Sequence, residues 1–134
     1  MISRLRGMFA IAIVDIQKQK AYLIRDRIGL KPLVYHHSTE RFAFSSTIRG
    51  LIPALPDNEI RPSAQGIDAY LTHRYIPAPP TILDSAYRLA NGHYLEYDLS
   101  TGDLQKHRYW MPEPKPGNWA ATLDESIDLR TVSD

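Results

Sequence analysis

The sequence has 134 residues, of which 43% are hydrophobic and 23% charged, as is ordinary for a soluble single-domain protein. Sixteen basic against 15 acidic side chains give a net charge of +1, which argues against a broad electrostatic surface for nucleic acid or an anionic membrane. Cysteine is absent, which excludes disulfides, thiolate metal sites and a cysteine nucleophile within these residues.

The first residues, MISRLRGMFAIAIVD, combine two arginines with an apolar run that resembles the core of a secretory signal. The run is far too short to span a bilayer, and Asp15 ends it without a small-residue cleavage site. We therefore predict no signal peptide, no membrane association and a cytoplasmic location.

The first half of the chain predicts an antiparallel meander. Its first strand is continuously apolar, which indicates a strand buried on both faces, and a corner at Gly29 separates the second strand from the third. The four predicted strands cover residues 8–15, 21–26, 32–37 and 41–46.

Two short helices are predicted next. The first lies before Pro53 and can be capped by Ser46 or Thr47. Ser63 caps the second, AQGIDAYL, in which three apolar side chains share one face: Ile67, Tyr70 and Leu71. The fold class that follows is α+β, with antiparallel sheets and flanking helices.

Prolines and turn residues organise the remainder. Three prolines within 76–80 predict an extended segment. The stretches HYLEYDL and LQKHRYW flank STGD, residues 100–103, and predict a hairpin. A Pro/Gly-rich linker starts at Met111, and LDESIDLR, residues 123–130, places Leu123, Ile127 and Arg130 at helical spacing.

No self-sufficient catalytic set is visible. The five histidines form no strong zinc pattern, and His36 and His37 point to opposite faces of a strand, so they cannot bind one metal. Dinucleotide, Walker and nucleophile-elbow motifs are all absent. Tyrosines on the hairpin fit cross-strand packing better than base stacking, so we predict no nucleic-acid partner.

Segments spread along the chain, in order, resemble one family. They are LRGMFAIAIVD (5–15), RDRIGLKPLVY (25–35), FAFSSTIRGL (42–51), AYLTHRYIPAPPTIL (69–83), RLANGHYLEYDL (88–99) and RYW (108–110). They are similar to segments of the class II, N-terminal-nucleophile glutaminase domain of glutamine-hydrolysing asparagine synthetases. The tail LDESIDLRTVSD resembles the family's helix before its ATP-pyrophosphatase loop.

The resemblance implies an αββα sandwich of the N-terminal-nucleophile hydrolase type, with only its C-terminal half present. Residues 1–111 would form a partial glutaminase domain. Residues 112–134 would be the linker and the truncated start of the synthetase domain.

The segment RDRIGLKPLVY (25–35), which forms the corner at Gly29 and is the family's signature, would have a mainly structural role. Gly29 permits an unusual backbone angle, Pro32 fixes the entry to the next strand, and an ion pair between Arg25 and Asp26 is expected to hold the corner. A direct ligand contact by Arg25 or Lys31 is the alternative. The full family signature carried over is Arg25, Asp26, Gly29, Lys31, Pro32 and Tyr35.

The family's nucleophile does not occur in this sequence. In the family it is a cysteine exposed at the N-terminus, whereas residue 2 here is Ile2. The family's RGPD-like, NGE and SDTE segments, and its SGGxDS loop, are also missing. Thr47 replaces a family glutamate, and Ala90-Asn91 replaces Pro-Pro. We therefore assign no catalytic residue, no substrate-binding residue and no metal ligand, and expect the chain alone to be inactive.

The resemblance implies an ATP-dependent carbon–nitrogen ligase as the full-length parent. Glutamine hydrolysis would supply ammonia to an ATP-activated aspartate, with ATP and magnesium as the parent's cofactors and none in this chain. Two alternatives are a non-catalytic binding or scaffold fragment and the glutaminase half of an amidotransferase with another acceptor. The expected macromolecular partner is a second copy or the missing half of the domain.

Overall fold

A computed structural model describes residues 2–112. Within them the chain forms strands and helices in the order β1 Ala10–Asp15, β2 Lys20–Arg25, β3 Val34–His37, β4 Phe42–Ser45, α1 Ile48–Leu51, α2 Ala64–His73, β5 Ala86–Arg88, β6 His93–Asp98 and β7 Leu104–Arg108. Single 3-10 turns lie at Ile2–Arg4, Ile52–Ala54 and Asp57–Glu59.

The strands form two antiparallel sheets. The first has the order β1-β2-β6-β7 and the second β4-β3-β5. In the first sheet Leu23 of β2 lies opposite Ala12 of β1 and Leu95 of β6. The α+β fold class with antiparallel sheets is confirmed.

The predicted four-strand meander is wrong. Strand β2 pairs with β1 and β6, and β3 pairs with β4 and β5, so the two hairpins belong to different sheets. Turn propensities identified the hairpins correctly, but they carry no information on which distant strand completes each sheet.

A leucine cluster joins the two sheets. Leu23 and Leu95 of the first sheet are 1% and 0% exposed and pack with Leu33 and Leu89. Each fully buried leucine stabilises the fold by about 1.5–3 kcal/mol. The contact continues through aromatic rings, with Phe42 of β4 stacked on Tyr97 of β6 at a centroid distance of 4.2 Å.

The opposite face of the second sheet packs on helix α1. Val34 and Ala86 contact Leu51 of α1 together with Leu55 and Leu83. The Thr47 hydroxyl oxygen accepts the Gly50 N–H at 3.1 Å and so caps this helix, as predicted. The described residues therefore stack as sheet, sheet and helix.

Helix α2 begins as predicted, with the Ser63 hydroxyl oxygen accepting the Gly66 N–H at 3.1 Å. Gly66 is its buried contact, since a Cβ there would overlap the Thr81 carbonyl oxygen. Its predicted apolar face is largely uncovered by residues 2–112: Ile67 is 41%, Tyr70 54% and Leu71 74% exposed.

Strand β1 is not buried on both faces, contrary to the prediction. Ile13 is 40% and Val14 55% exposed, and Ile16 just after the strand is 75% exposed. The cause is its position, because within the described residues β1 has β2 as its only neighbour and lies at the edge of the sheet.

We predict that the chain self-associates at micromolar concentration. Within residues 2–112 strand β1 presents an unpaired edge with neither a charge nor a proline between Ala10 and Val14, and such edges template intermolecular pairing. Size-exclusion chromatography with light scattering should detect species larger than the 15.3 kDa monomer.

Val14→Lys should shift the chain towards monomer, because it places a charge on this strand. Thr72→Lys, on an exposed position of α2, is the matched control and should not. A sharp monomer peak for the unsubstituted chain, with cooperative unfolding, would contradict the prediction.

Candidate functional site

The corner between the two sheets is built around one carboxylate. Asp26, 1% exposed, follows β2 directly, and its side-chain oxygens accept four successive backbone N–H groups. The distances are 3.1, 2.6, 3.0 and 3.0 Å, from Ile28, Gly29, Leu30 and Lys31. These bonds replace the ladder bonds that the backbone gives up when it leaves the sheet.

The neighbouring Arg25 binds backbone carbonyl groups. Its guanidinium donates to the carbonyl oxygens of Gly29 at 2.7 Å, Lys31 at 2.9 Å and Leu89 at 2.5 Å. The expected ion pair with Asp26 is wrong: among residues 2–112 the two side chains form no salt bridge. Instead, Asp26 accepts from the N–H groups of the turn, and Arg25 donates to carbonyl oxygens of the same turn.

The electrostatics of the pair follow from these contacts. Burial alone would raise the pKa of the Asp26 carboxyl group, but the four N–H groups favour the charged form and hold that pKa below its ordinary value. Burial lowers the pKa of Arg25, Arg88 lowers it further, and Asp26 partly offsets this. The guanidinium still remains protonated at neutral pH.

Gly29 has the positive backbone angle expected from the sequence, with φ of 75°. A Cβ at this position would overlap the Asn91 side-chain oxygen and approach the Arg25 Cζ to 3.1 Å. Asn91 is exposed and can move, but Arg25 is held by three hydrogen bonds. Both the angle and the guanidinium therefore restrict this position to glycine.

The corner is also tied to the ends of β6 and β7. The Asp26 carbonyl oxygen accepts the Gly92 N–H at 3.0 Å, and the Gly92 carbonyl oxygen accepts the N–H groups of Tyr109 and Trp110. The Tyr109 hydroxyl donates to the Arg25 carbonyl oxygen at 2.6 Å. Burial, then the charge of Asp26, raises the pKa of this hydroxyl.

The side chains of the other signature residues lie outside this network. Lys31 and Pro32 are exposed, and Tyr35 lies on the inner face of β3 with its ring 5.8 Å from that of Tyr87. Burial, then Tyr87, raises the pKa of Tyr35. The structure thus brings Arg25, Asp26 and Gly29 into one unit and leaves Lys31 at its surface.

Two cavities flank the corner. The Met8 cavity, of about 480 Å³, lies beside the start of β1 and is lined by Met8, Phe9, Ala10, Lys31, Pro32 and Ser46. The Trp110 cavity, of about 450 Å³, lies beside the ends of β6 and β7 and is lined mainly by Arg27, Asn91, His93, Arg108, Trp110 and Met111.

Sequence reasoning missed the partners of the corner. Leu89, Gly92 and Tyr109 lie more than 60 residues from it along the chain, so no local pattern links them to it.

The histidines form no catalytic dyad with a hydroxyl group in the part of the chain that the structure describes. Nδ1 of the buried His36 lies 2.9 Å from the Ser85 carbonyl oxygen, and its Nε2 lies 3.2 Å from a Glu59 carboxylate oxygen. His37 and His93 likewise bind backbone carbonyl oxygens. Both ring nitrogens of His36 therefore face protein oxygen atoms, one of a carbonyl group and one of a carboxylate group.

We predict that Gly29→Val destabilises the fold by about 2 kcal/mol or more, because a β-branched residue is strained at positive φ. Lys31→Ala, at an exposed site, is the matched control and should change the free energy of unfolding by less than about 0.5 kcal/mol. Thermal or denaturant unfolding measures both. Equal melting temperatures would show that Gly29 is not under this constraint.

Asp26→Asn should lower the free energy of unfolding by about 3 kcal/mol. The amide nitrogen would face backbone N–H groups, which are also donors, and the charge-assisted hydrogen bonds would be lost. The lowered pKa also sets the pH dependence: the stability from Asp26 is present above its unfolded-state pKa of about 3.9 and is lost as pH falls through the lower folded-state value.

Unfolding free energies measured from pH 7 down to pH 2.5 test this. Between pH 7 and pH 2.5, Asp26→Asn should lose less unfolding free energy than the unsubstituted chain. Asp68→Asn, at an exposed position of α2, is the control and should show the same pH profile as the unsubstituted chain. Parallel profiles for Asp26→Asn and the parent would contradict the assignment.

Comparison with known proteins identifies the family of the domain that contains this corner. The sequence profile described as a glutamine amidotransferase domain matches residues 1–110. A Methanocaldococcus jannaschii protein, named as a glutamine-hydrolysing asparagine synthetase, is 29% identical over 117 residues, which cover 86% of this chain and 23% of the relative.

Two further relatives extend the comparison. Asparagine synthetase [glutamine-hydrolyzing] 2 of Bacillus subtilis is 32% identical over 116 residues, covering 78% of this chain and 14% of the relative. A Gibberella zeae protein named amidase chry2 is 27% identical over 133 residues, covering 96% and 18%. The chain thus spans less than a quarter of each of these relatives. The profile match extends over both sheets and the corner between them, and the chain belongs to the glutamine amidotransferase domain family.

Proposed function

We propose that this chain is one half of a class II glutaminase domain in a glutamine-dependent asparagine synthetase. In the complete protein, glutamine would release ammonia that attacks an ATP-activated aspartate. The observation that carries the proposal is the profile match over residues 1–110 on two antiparallel sheets joined by the Asp26 corner. The names of the Methanocaldococcus and Bacillus relatives support the choice of asparagine synthesis.

The chain's part in this reaction is structural. Glutamine hydrolysis by this chemistry needs an activated thiol, a base and oxyanion donors that converge on one carbonyl group, and these 134 residues contain no cysteine. The backbone N–H groups of 28–31 already bind Asp26 and so are not available to an oxyanion. Arg25, Asp26 and Gly29 position the walls of the site, and the nucleophile comes from another segment.

The Met8 cavity is our proposed place for that segment. Met8, Phe9 and Ala10 line the cavity at the start of β1, and β1 has an unpaired edge within residues 2–112. A strand added to this edge would border the cavity and satisfy the free backbone groups. Lys31 and Ser46, which also line the cavity, would then contact the added segment.

ATP and magnesium belong, in this proposal, to the longer protein. Among the described residues no group of three or more His, Asp or Glu side chains is placed to hold a metal ion. No step of the proposed role of this chain passes through either group.

The proposed domain division keeps residues 1–111 in the glutaminase unit and 112–134 as the linker and the start of the synthetase unit; positions 113–134 lie outside the described residues. No helix among residues 2–112 is long and apolar enough to cross a membrane.

A second candidate is the glutaminase half of an amidotransferase with another acceptor. The Gibberella relative, whose name is that of an amidase, covers 96% of this chain and favours this alternative. In both candidates the acceptor would bind outside these 134 residues. Assays of the longer protein with aspartate and with other acids as acceptors therefore distinguish the two.

We predict that the purified chain releases neither ammonia nor glutamate from glutamine, because it has no thiol. A coupled glutamate assay measures this. Turnover above the buffer blank that survives repurification would contradict the proposal.

A fusion provides the positive test. The part of the Bacillus relative that precedes its aligned region is placed before residue 1, and the fusion should hydrolyse glutamine. Replacing the fused cysteine nucleophile by alanine should abolish activity. A fusion that unfolds cooperatively yet shows no activity would contradict the proposed role.

A further inference from the structure

Asn91 and Gly92, in the turn before β6, form the only Asn-Gly pair of the sequence, and the glutaminase role does not use it. Such pairs are prone to spontaneous deamidation, because glycine has no side chain to hinder attack of its backbone nitrogen on the asparagine amide carbon. Asn91 is exposed, whereas Gly92 is buried. The two other asparagines precede Glu59 and Trp119, whose bulky side chains hinder this reaction.

The corner holds the Gly92 backbone from both sides. The Gly92 N–H donates to the Asp26 carbonyl oxygen at 3.0 Å, and the Gly92 carbonyl oxygen accepts two N–H groups from the segment after β7. The Asn91 side chain occupies the space that a Cβ on Gly29 would fill. The attacking nitrogen and the amide group that it would attack are therefore both in contact with the corner.

We propose that Asn91 is a deamidation site that the corner keeps unreactive. In this reaction a base removes the proton of the Gly92 nitrogen, the nitrogen bonds to Asn91 Cγ, and the Cγ–Nδ2 bond breaks. The leaving amide group takes up a proton and departs as ammonia, and water then opens the cyclic imide to aspartate or isoaspartate. While the Gly92 N–H is bonded to the Asp26 carbonyl oxygen, its proton is protected, so the reaction proceeds from molecules in which the corner has opened.

The isoaspartate product would keep the corner open. It routes the backbone through the side chain of residue 91 and so adds one carbon atom before the Gly92 nitrogen. The Gly92 N–H and carbonyl groups are then out of register with their partners at Asp26 and after β7. Deamidation thus converts a transient opening into a lasting one, independently of the proposed glutaminase role.

One tryptic peptide reports the reaction. Cleavage after Arg88 and Lys106 releases residues 89–106, in which Asn91 is the only asparagine. The full chain is incubated at mildly alkaline pH, and mass spectrometry follows deamidation of this peptide. The folded chain should deamidate at least tenfold more slowly than the same chain in denaturant. Equal rates overturn the proposal.

Variants distinguish opening of the corner from loss of stability in general. Asp26→Asn removes the carboxylate that holds the turn and should deamidate at least fivefold faster than the unsubstituted chain. Leu51→Ala is the matched control, because it weakens the apolar cluster against α1 and should leave the rate within twofold. Both rates are measured where circular dichroism shows the variants to be folded. Equal rates for the two variants overturn the proposal.

A milder variant covers the case in which Asp26→Asn does not fold. Tyr109→Phe removes the hydroxyl group that donates to the Arg25 carbonyl oxygen, and its deamidation rate should rise at least twofold. An unchanged rate in this variant overturns the proposal.

The consequence of the reaction is tested on the deamidated chain, which ion exchange separates from the unmodified chain by its added negative charge. Hydrogen exchange in a peptide covering 26–33 should be at least fivefold faster in the isoaspartate form. Asn91→Asp carries the same charge on a normal backbone, so it is the matched control and should exchange like the unsubstituted chain. Equal exchange in the isoaspartate form and the control overturns the proposal.

Discussion

The structure depends on a single buried carboxylate. When the chain leaves β2 it must cross from one sheet to the other, and over residues 28–31 its N–H groups have no strand partner. Asp26 accepts all four of them, and Arg25 donates to the carbonyl oxygens of Gly29 and Lys31 in the same turn. This turn carries the chain from β2 to β3, and the leucine cluster then packs the two sheets together.

The corner links the two sheets through several segments of the chain. Its donors and acceptors are occupied by each other, and Gly92 and Tyr109 tie it to β6 and β7. Such a unit is rigid but offers no free nucleophile or oxyanion donor. In the part of the chain that the structure describes, the unpaired edge of β1 and two cavities lie beside the corner.

Local features were predictable from the sequence because local chemistry determines them. The Ser63 cap, the hairpin around 100–103 and the positive φ of Gly29 all follow from residue types within a few positions. The pairing of β2 with β6 did not follow, because it joins segments 70 residues apart. Strand β5 was missed because its three residues show no alternation. The exposure of β1 depends on which strands lie beside it, and the hydrophobic pattern of a single strand does not indicate its neighbours.

The central claim is that the Asp26 turn is a rigid element and not an ordinary surface loop. Hydrogen exchange measured by mass spectrometry on a peptide covering 26–33 tests it most directly. We expect these amides to exchange as slowly as those of β2, and to exchange at least tenfold faster in Asp26→Asn while β7 changes little. Exchange at the rate of an open loop in the unsubstituted chain would contradict the account.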